Sequence, residues 1–352
     1  VFSVTWSFQN RPMICRRLLF WQPLRGTHTS FFSCLGNKST GRFHKKLNVK
    51  RRWYLDTRYM EEAGWSKLCG YSIYPWSIGG VFTTVVVMKD DLKLAFDMGD
   101  CCRQSIPCNH VFISHGHMDH ISSIPQHSSR RELFGMKKAS YYVPDHLLDL
   151  VKEVASTFHQ INVTDKILDN LDVRPVTLQD KIKVARAYFV CPFPTVHRVL
   201  SQGYILYRRQ RTMKEEYKHL EGPEIAAKAK ERVELYNYSE IPDIAFTGDT
   251  TFELFLKSPH PDLLKVKILI VETTYIDEEP GKDMIQQARD RGHIHLAEII
   301  DNAHLFENVQ HILLMHFSDK YSESEIIDKV FSILPESLKK KVLVATIAKR
   351  LY

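Results

Sequence analysis

The sequence has few features of a secreted, disulfide-stabilised or membrane-spanning protein. Its 352 residues include seven cysteines, an odd number, and no two of them form a CxxC pair. This pattern argues against a disulfide framework and a structural zinc ribbon, and it favours a reducing compartment. No apolar run approaches the roughly 20 residues that a transmembrane helix needs. We therefore expect no membrane span.

Acidic residues are absent from residues 1–55, which contain eleven Lys or Arg. Since the whole chain has a formal net charge of +7, the other residues carry a net charge of −4. A stretch rich in Arg, Ser and Thr and free of acids is typical of an organellar transit peptide. The alternative is a basic tail that binds RNA or a membrane surface. We predict a leader here, which translation from Met13 or Met60 would shorten or remove.

The stretch HVFISHGHMDH, at residues 110–120, places four potential metal ligands directly after a predicted buried strand. These ligands are His115, His117, Asp119 and His120. Imidazole suits zinc, and a carboxylate among imidazoles allows a second metal to bind beside the first. A lone histidine is more often structural. Three histidines and an aspartate within six residues indicate a metal site.

Three later candidates also follow predicted strands, namely His197, Asp249 and His316. We expect strand ends to bring them to one edge of a sheet, where they would complete a site for two metals. The first metal would bind His115, His117 and His197, and the second Asp119, His120 and His316, with Asp249 bridging. Two metals ~3.5 to 4 Å apart can bind the oxygens of a phosphodiester. Zinc is expected, although these ligand types also bind manganese or iron.

A change in composition marks residues 208–232, where eight Lys or Arg accompany five Glu. Gly222 and Pro223 divide this insertion into two predicted helical segments. A charged insertion between two strands is usually a solvated surface feature. Here it is also the only basic patch outside the leader, so an arm that contacts phosphates is an equally good interpretation.

Six motifs carry a resemblance to a known family. They are SHGHMDH, HRVLSQGY from His197, AFTGDT from Ala245, ETTY from Glu272, GHIH from Gly292 and LMHFSDKY from Leu314. In this order, from about Gly70 to the C-terminus, they resemble the short, plant-type form of ribonuclease Z in the metallo-β-lactamase superfamily. HxHxDH alone marks the superfamily, whereas the ordered set is specific.

The resemblance implies a fold, an activity and roles for individual residues. The fold is α/β, an αβ/βα four-layer sandwich with a binuclear zinc site at the sheet edge. The activity is endonucleolytic removal of 3′ trailers from precursor tRNA, leaving a 3′-hydroxyl on the tRNA. Asp119 is implied to orient or deprotonate the attacking water and His293 to protonate the leaving ribose oxygen. Glu272 is implied to hold His293 in orientation.

The resemblance also implies a domain organisation and partners. Residues 56–352 form the catalytic domain, with a tRNA-binding arm inserted at about 208–240. Family members are homodimers, in which the arm of one subunit serves the active site of the other. The predicted substrate contacts are Arg208, Arg209, Arg211, Lys214, Lys218, Lys228, Lys230 and Lys320. We expect import into an organelle, a chloroplast rather than a mitochondrion, or a cytoplasmic or nuclear protein if translation starts after the leader.

Some positions depart from the family pattern, and two alternatives remain. Ser122 and Ser123 stand where glycines are usual, and Lys320 stands where arginine would bind a phosphate bidentately. The first alternative is another hydrolase of the superfamily, for which the basic insertion and GHIH would be superfluous. The second is a non-catalytic RNA-processing paralogue, which would be expected to have lost ligands that this chain retains.

Overall fold

The fold was analysed in a computed structural model, which describes residues 64–162, 171–257, 259–279, 281 and 283–352. The predicted leader, residues 1–55, lies outside the described residues. Across the described part of the chain, no helix has the length and apolar character needed to cross a membrane.

Two seven-stranded sheets contain the strands of the described residues. The first sheet comprises β1 (Ser66–Leu68), β2 (Tyr71–Ile78), β3 (Phe82–Lys89), β4 (Leu92–Phe96), β5 (His110–Phe112), β6 (Ser140–Pro144) and β7 (Asp172–Val176). The second comprises β8 (Ile182–Ala185), β9 (Tyr188–Pro194), β10 (Gln202–Met213), β11 (Tyr236–Phe246), β12 (Ile268–Glu272), β13 (His311–Met315) and β14 (Val342–Val344). Neighbours in each sheet are consecutive in sequence.

Helices connect the parallel strands and cover the sheets. The α-helices in the described ranges are α1 (Met118–Ile121), α2 (Ile124–Leu133), α3 (Leu148–Asn162), α4 (Gly222–Lys230), α5 (Glu253–Leu256), α6 (Met284–Asp290), α7 (Leu296–Asp301), α8 (Glu323–Ile333), α9 (Glu336–Lys339) and α10 (Ile347–Leu351). Short 3₁₀ turns lie at Asp145–Leu147, Glu215–Tyr217 and Ala303–Phe306.

The two sheets share one pairing pattern. In each sheet the first four strands pair antiparallel, and the last four form a parallel set. Parallel strands buried on both faces need apolar side chains throughout. Strand β12 satisfies this with the buried sequence Ile-Leu-Ile-Val before Glu272.

The main core lies between the two sheets. Phe96 of the first sheet stacks on Phe246 of the second, with ring centroids 5.0 Å apart. A second apolar layer joins the outer face of the second sheet to its helices, and a third does so for the first sheet. The order helix, sheet, sheet, helix is the predicted αβ/βα sandwich, and this prediction is confirmed.

Two helices predicted from the sequence are present, but their ends differ from the predicted ones. The sequence pattern after Pro144 and Asp145 predicts a helix from His146 to about Phe158, and the structure begins it as a 3₁₀ turn and continues it as α3 to Asn162. The pattern also predicts one helix from Leu296 to Leu305, which is divided, because α7 ends at Asp301 before a 3₁₀ turn. Helix ends depend on caps and tertiary contacts that periodicity does not report.

The basic insertion forms a two-stranded ribbon that projects from the second sheet. Strand β10 pairs with β9 only as far as Arg208, whereas its pairing with β11 continues to Met213, opposite Tyr236. The 3₁₀ turn and α4 lie at the end of this ribbon. We call residues 208–240 the arm.

Candidate metal centre

The predicted metal ligands meet at one edge of the sandwich, in the loops that follow β5, β9, β11 and β13. One group of ligand atoms, all within 4.8 Å of one another, comes from His115, His117, His197 and Asp249. A second, equally close group comes from Asp119, His120 and His316. These seven residues are the candidates named from the sequence. A third group joins Asp249 and His316 to His293. The parallel strands explain the meeting, because their carboxyl ends share an edge.

Nitrogen atoms converge in the first group. His117 Nδ1 lies 3.0 Å from His115 Nε2 and 3.2 Å from His197 Nε2. Asp249 Oδ2 lies 3.8 Å from His115 Nε2. The same oxygen is 3.3 Å from His120 Nε2 of the second group. Asp249 therefore lies between the groups, in the position of a bridging ligand.

Asp97, buried and not singled out from the sequence, determines the orientation of two histidines. Its carboxylate accepts hydrogen bonds from His120 Nδ1 at 2.7 Å and from Ser114 Oγ at 2.9 Å. Since the Ser114 hydroxyl donates to Asp97, it accepts from His115 Nδ1 at 2.9 Å. Both imidazoles use Nδ1 as a donor. Their Nε2 lone pairs are therefore directed into the cluster.

Two further outer contacts have the same consequence. His197 Nδ1 donates to the Gly292 carbonyl at 2.8 Å. Thr274 Oγ1 donates to Glu272 Oε2 at 2.6 Å, so it accepts from His316 Nδ1 at 3.0 Å. An outer acceptor thus holds the far nitrogen of four of the five histidines, all except His117, the arrangement that orients imidazoles toward a metal.

The second group brings two imidazoles and two carboxylates together. His120 Nε2 and His316 Nε2 are 3.3 Å apart. Although burial opposes a positive charge, the carboxylates of Asp249 and Asp97 raise the pKa of His120 well above its usual value, so positive charge is favoured at this point. Asp119 Oδ2 lies 3.4 and 3.5 Å from the two Nε2 atoms. Asp249 Oδ1 is buried, forms no hydrogen bond within the described residues and lies 3.3 Å from His316 Nε2. Carboxylates and imidazoles around a point that favours positive charge fit a cation, and imidazole with carboxylate suits zinc.

The electrostatics of the first group agree with metal binding. Burial lowers the pKa of His115 to about 2. Burial also lowers the pKa values of His117 and His197. These imidazoles are neutral at pH 7, which is the form that binds a metal.

His293 lies beside the cluster, and Glu272 holds it. Glu272 Oε1 accepts from His293 Nδ1 at 2.9 Å, and that nitrogen is 3.9 Å from Asp249 Oδ2. Although burial opposes a positive charge, the Glu272 carboxylate raises the pKa of His293 to about 9. The Glu272 carboxylate also accepts from the backbone N–H groups of Thr250 and Thr274, so it is fixed. Glu272 has the predicted orienting geometry.

Two glycines allow the loops to approach this closely. A Cβ at Gly99 would lie 1.8 Å from the backbone oxygen of Asp119. A Cβ at Gly292, whose φ is +83°, would lie 2.6 Å from His197 Nδ1. His316 itself has a φ of 63°, an uncommon conformation for a residue with a side chain.

The two serines that depart from the family pattern are accommodated. Ser122 Oγ and Ser123 Oγ each donate to the Gly99 carbonyl at 3.0 Å. Their hydroxyls are thus turned toward the backbone. Lys320, the other departure, has Nζ 2.8 Å from Asp277 Oδ2 and lies over the ring of Tyr321.

The predicted substrate contacts, apart from Lys320, lie on the arm or at its base. Arg208 Nε donates to the buried Asp243 at 2.9 Å, which holds it at the base. Arg209 lies over the exposed ring of Tyr238, and Arg211 lies over that of Tyr236.

The lysines of the arm occupy its outer part. Lys214 and Lys218 are close to Glu234 and Glu215 at 3.6 and 2.6 Å. Lys228 and Lys230 are in the last turn of α4. All four lie in the part of the arm that extends beyond the pairing of β10 with β9.

Sequence reasoning missed the outer residues Asp97, Ser114 and Thr274. One signal was available for Asp97, because it directly follows the short strand β4, as the candidate ligands follow their strands. Its φ of 58° turns the chain at that point. Ser114 and Thr274 have no sequence signal beyond their proximity to His115 and Glu272.

Comparison with known proteins adds two relatives and a fold. No protein-family model matches the chain. The chain is 35% identical to tRNase Z TRZ1 of Arabidopsis thaliana over 287 residues. These aligned residues cover 82% of this chain and 99% of that protein. It is 33% identical over 270 residues to the chloroplastic tRNase Z TRZ2 of Arabidopsis thaliana. That alignment covers 76% of this chain and 73% of TRZ2.

The structural likeness concerns the fold alone. The metallo-β-lactamase fold protein YhfI of Bacillus subtilis superposes with a TM-score of 0.50 at 14% identity, covering 78% of this chain and 96% of that one.

Proposed function

Because this chain belongs to the tRNase Z family and is an endoribonuclease of tRNA 3′-end processing, we propose that it cuts precursor tRNA at the cluster of five histidines and two aspartates. The observation that carries this proposal is the meeting of acceptor atoms around Asp249, with His120 Nε2 and His316 Nε2 each 3.3 Å from its carboxylate. The two alternatives, a different superfamily hydrolase and a non-catalytic paralogue, are not supported by the relatives.

We assign two zinc ions per subunit to these residues. His115, His117 and His197 would hold one, Asp119, His120 and His316 the other, and Asp249 would bridge them. Bound zinc lowers the pKa of water and stabilises negative charge on a phosphoryl group. The convergence of ligand atoms supports a cation here, and the same donor set also fits manganese or iron.

Asp119 and His293 would carry the proton transfers. The Asp119 carboxylate accepts from the Gly80 N–H at 3.1 Å, which fixes it at the mouth of the cluster, where it can orient or deprotonate water. His293 would donate a proton to the leaving ribose O3′, a poor leaving group without one. Glu272 binds Nδ1 of His293, so Nε2 is the nitrogen that would reach the substrate.

The arm would bind the tRNA body at a distance from the cut. Gln202 N donates to the Ser114 carbonyl, which places the start of β10 at the metal edge. From Gln202 to Met213 the strand spans roughly 36 Å at ~3.3 Å per residue. The end of the arm is therefore far from the metal centre of its own subunit.

This separation, together with an apolar surface, supports a homodimer. Eight of the 17 large hydrophobic side chains exposed among the described residues lie between Met118 and Ile161. Four of them, Leu150, Val154, Phe158 and Ile161, form a stripe on α3 beside the face that packs on the sheet. Contiguous exposed apolar surface of this kind typically marks an interface. We propose that a second copy covers it, so that each arm serves the partner's metal centre.

A chloroplast is the proposed location. The acid-free composition of residues 1–55 supports a cleavable leader. The relative TRZ2 is named as chloroplastic.

Mapping the cut tests the function. The full chain is incubated with a 5′-labelled precursor tRNA, and both products are sequenced to the nucleotide. We expect one cut at the 3′ end of the mature tRNA, leaving a 3′-hydroxyl on the tRNA and a 5′-phosphate on the trailer. Exonucleolytic shortening, or a 3′-phosphate on the tRNA, would contradict the assignment.

A further inference from the structure

A pocket with no role in the proposed metal chemistry adjoins the metal centre on the side of His197. Its volume is about 330 Å³, and its walls include Val196, Arg198, Thr251 and Gln286 as well as His197 and Gly292. This is at the lower end of the range for ligand pockets. It can hold one nucleotide unit rather than a stretch of helix.

The loop that forms one wall of the pocket is firmly held. Thr195 and Ser201 close it through a 2.6 Å contact between their hydroxyl oxygens. Val196 is bound on both backbone groups, since its N–H donates to Thr250 Oγ1 at 3.1 Å and its carbonyl accepts from Thr251 N at 2.7 Å. The loop therefore presents Arg198 at a defined place beside the ligand His197.

Arg198 differs from the other charged side chains of the pocket, because each of those has a partner within the protein. Arg289 donates to Glu298 at 2.7 Å, Glu253 pairs with Lys257 at 2.9 Å, and Asp290 accepts from Gln286.

Arg198 is exposed and forms no hydrogen bond or ion pair with any residue in the described ranges. Its Cγ lies close to Gly292, since a Cβ added at Gly292 would be 3.0 Å from it. A guanidinium held beside a phosphodiester-cleaving centre without a protein partner is suited to a phosphate.

The wall of the pocket also contains a polar group without a partner. Thr251 lines the pocket and is 7% exposed, and its buried Oγ1 has no hydrogen-bond partner among the residues described. Buried hydroxyls are nearly always hydrogen-bonded.

We infer that this pocket binds the unpaired nucleotide that precedes the cut, with Arg198 bound to the phosphate on the 5′ side of that nucleotide. The inference rests on the proposed function. In that reaction His293 protonates the O3′ of the last retained nucleotide, so the retained ribose lies at His293. Gly292, its neighbour in the chain, lines the pocket. Arg198 is thus a binding residue for the retained side of the substrate, and the trailer lies elsewhere.

A double-mutant cycle tests the contact between Arg198 and this phosphate. One precursor tRNA carries a neutral methylphosphonate in place of the phosphate 5′ of the last retained nucleotide. A second carries it between the first two trailer nucleotides. Each is cleaved by the wild-type protein and by Arg198→Ala, and kcat and KM are measured separately.

The retained-side modification should lower wild-type kcat/KM about tenfold, the usual worth of a charge-assisted contact. Arg198→Ala should show a similar loss on unmodified substrate, mainly in KM, and no further loss on the retained-side substrate. Arg198→Lys should recover part of the kcat/KM that Arg198→Ala loses on unmodified substrate. On the trailer-modified substrate the losses of wild type and Arg198→Ala should be alike.

Three outcomes would overturn the inference. The first is that the losses from Arg198→Ala and from the retained-side methylphosphonate add. The second is that Arg198→Ala couples to the trailer methylphosphonate instead. The third is that Arg198→Ala loses no more activity than the control Arg174→Ala on distant strand β7. Metal content and thermal unfolding of Arg198→Ala show whether it folds. If the wild-type protein leaves precursor tRNA uncut, the proposed function fails. If it cuts and the cycle is additive, only the pocket assignment fails.

Discussion

At the residue scale, Asp249 is the side chain shared by both groups of ligands. We expect Asp249→Ala to reduce precursor tRNA cleavage by roughly three to four orders of magnitude, the loss typical of an essential catalytic group. tRNA binding should be nearly unchanged, because the residue is 2% exposed and the arm is remote. Single-turnover cleavage and filter binding measure the two effects. An equal loss of binding would argue against a purely catalytic role.

Asp97 provides a test of the outer hydrogen bonds. Asp97→Asn is nearly isosteric, but its amide must donate toward Ser114 or toward His120 Nδ1. Donation to His120 would place the imidazole proton on Nε2, where it blocks a metal. We expect metal affinity to fall about 10- to 100-fold, the usual effect of losing an outer partner. Chelator competition measures it.

The matched control for Asp97→Asn is Asp180→Asn. Its carboxylate accepts from Thr177 in an exposed turn. This control should keep full metal affinity. Unchanged affinity in Asp97→Asn would show that the outer hydrogen bonds do not set the metal site.

At the scale of elements, Asp243 ties strand β11 to its surroundings at the base of the arm. It accepts from Tyr71 at 2.6 Å and pairs with Lys267 at 2.7 Å and with Arg208. Burial alone would raise the pKa of Asp243, but its hydrogen bonds, from Lys267 first, outweigh burial and hold it below the usual value. The ionised carboxylate therefore stabilises the fold above about pH 4, and this contribution is lost as the pH falls through the lowered pKa.

Asp243→Asn should accordingly lower the free energy of unfolding by about 3 kcal/mol at pH 7, since it leaves two cations without their buried partner. The deficit relative to wild type should shrink from pH 5 towards pH 3. Urea unfolding at each pH measures it. The exposed pair of Asp172 with Arg174 is the control, because Asp172→Asn should cost at most about 1 kcal/mol. A deficit that stays constant with pH would contradict the ionisation argument.

The arm is the element with the clearest separable role. Deleting residues 210–235 removes the outer ribbon and α4 but leaves the pairing of β10 with β9 intact. We expect the KM for precursor tRNA to rise roughly tenfold or more, because phosphate contacts dominate affinity. Hydrolysis of bis(p-nitrophenyl) phosphate should stay within about twofold of wild type, since a small substrate reaches the metal centre alone. Unchanged affinity for precursor tRNA would remove the arm from the substrate site.

At the scale of the whole molecule, the prediction concerns two copies. Asp249→Ala retains its arm and the deletion variant retains its metal centre, so each lacks what the other has. In a 1:1 mixture of freely exchanging dimers, half are mixed, and one site in each mixed dimer has both parts. We expect the mixture to recover about a quarter of wild-type activity on precursor tRNA.

The proposed interface on α3 provides the control for this mixing experiment. Val154→Asp with Phe158→Asp places charges on the apolar stripe and should yield monomers by light scattering. When both substitutions are added to each of the two mixed proteins, the recovery of activity on mixing should also be abolished. If each arm served its own subunit, mixing would add nothing to the sum of the separate activities.

The sequence alone predicted the candidate ligands and their place at the ends of strands. These depend on local features, since residue type, alternation and the position of a polar residue at a strand end can be read along the chain. His115, His120 and His316 could be named as ligands for this reason. The four-layer sandwich followed from the ordered motifs of a known family.

Only the tertiary structure decided how these parts act together. The inward direction of each Nε2 depends on Asp97, Thr274 and the Gly292 carbonyl, which come from segments far apart in sequence. Arg208, predicted as a phosphate contact, has its Nε directed to Asp243 because the two strands pair there. The unpartnered Arg198 became visible only beside the pocket wall at Gly292. Hydrogen-bond direction and the separation of arm from metal centre are properties of packing, and no local pattern reports them.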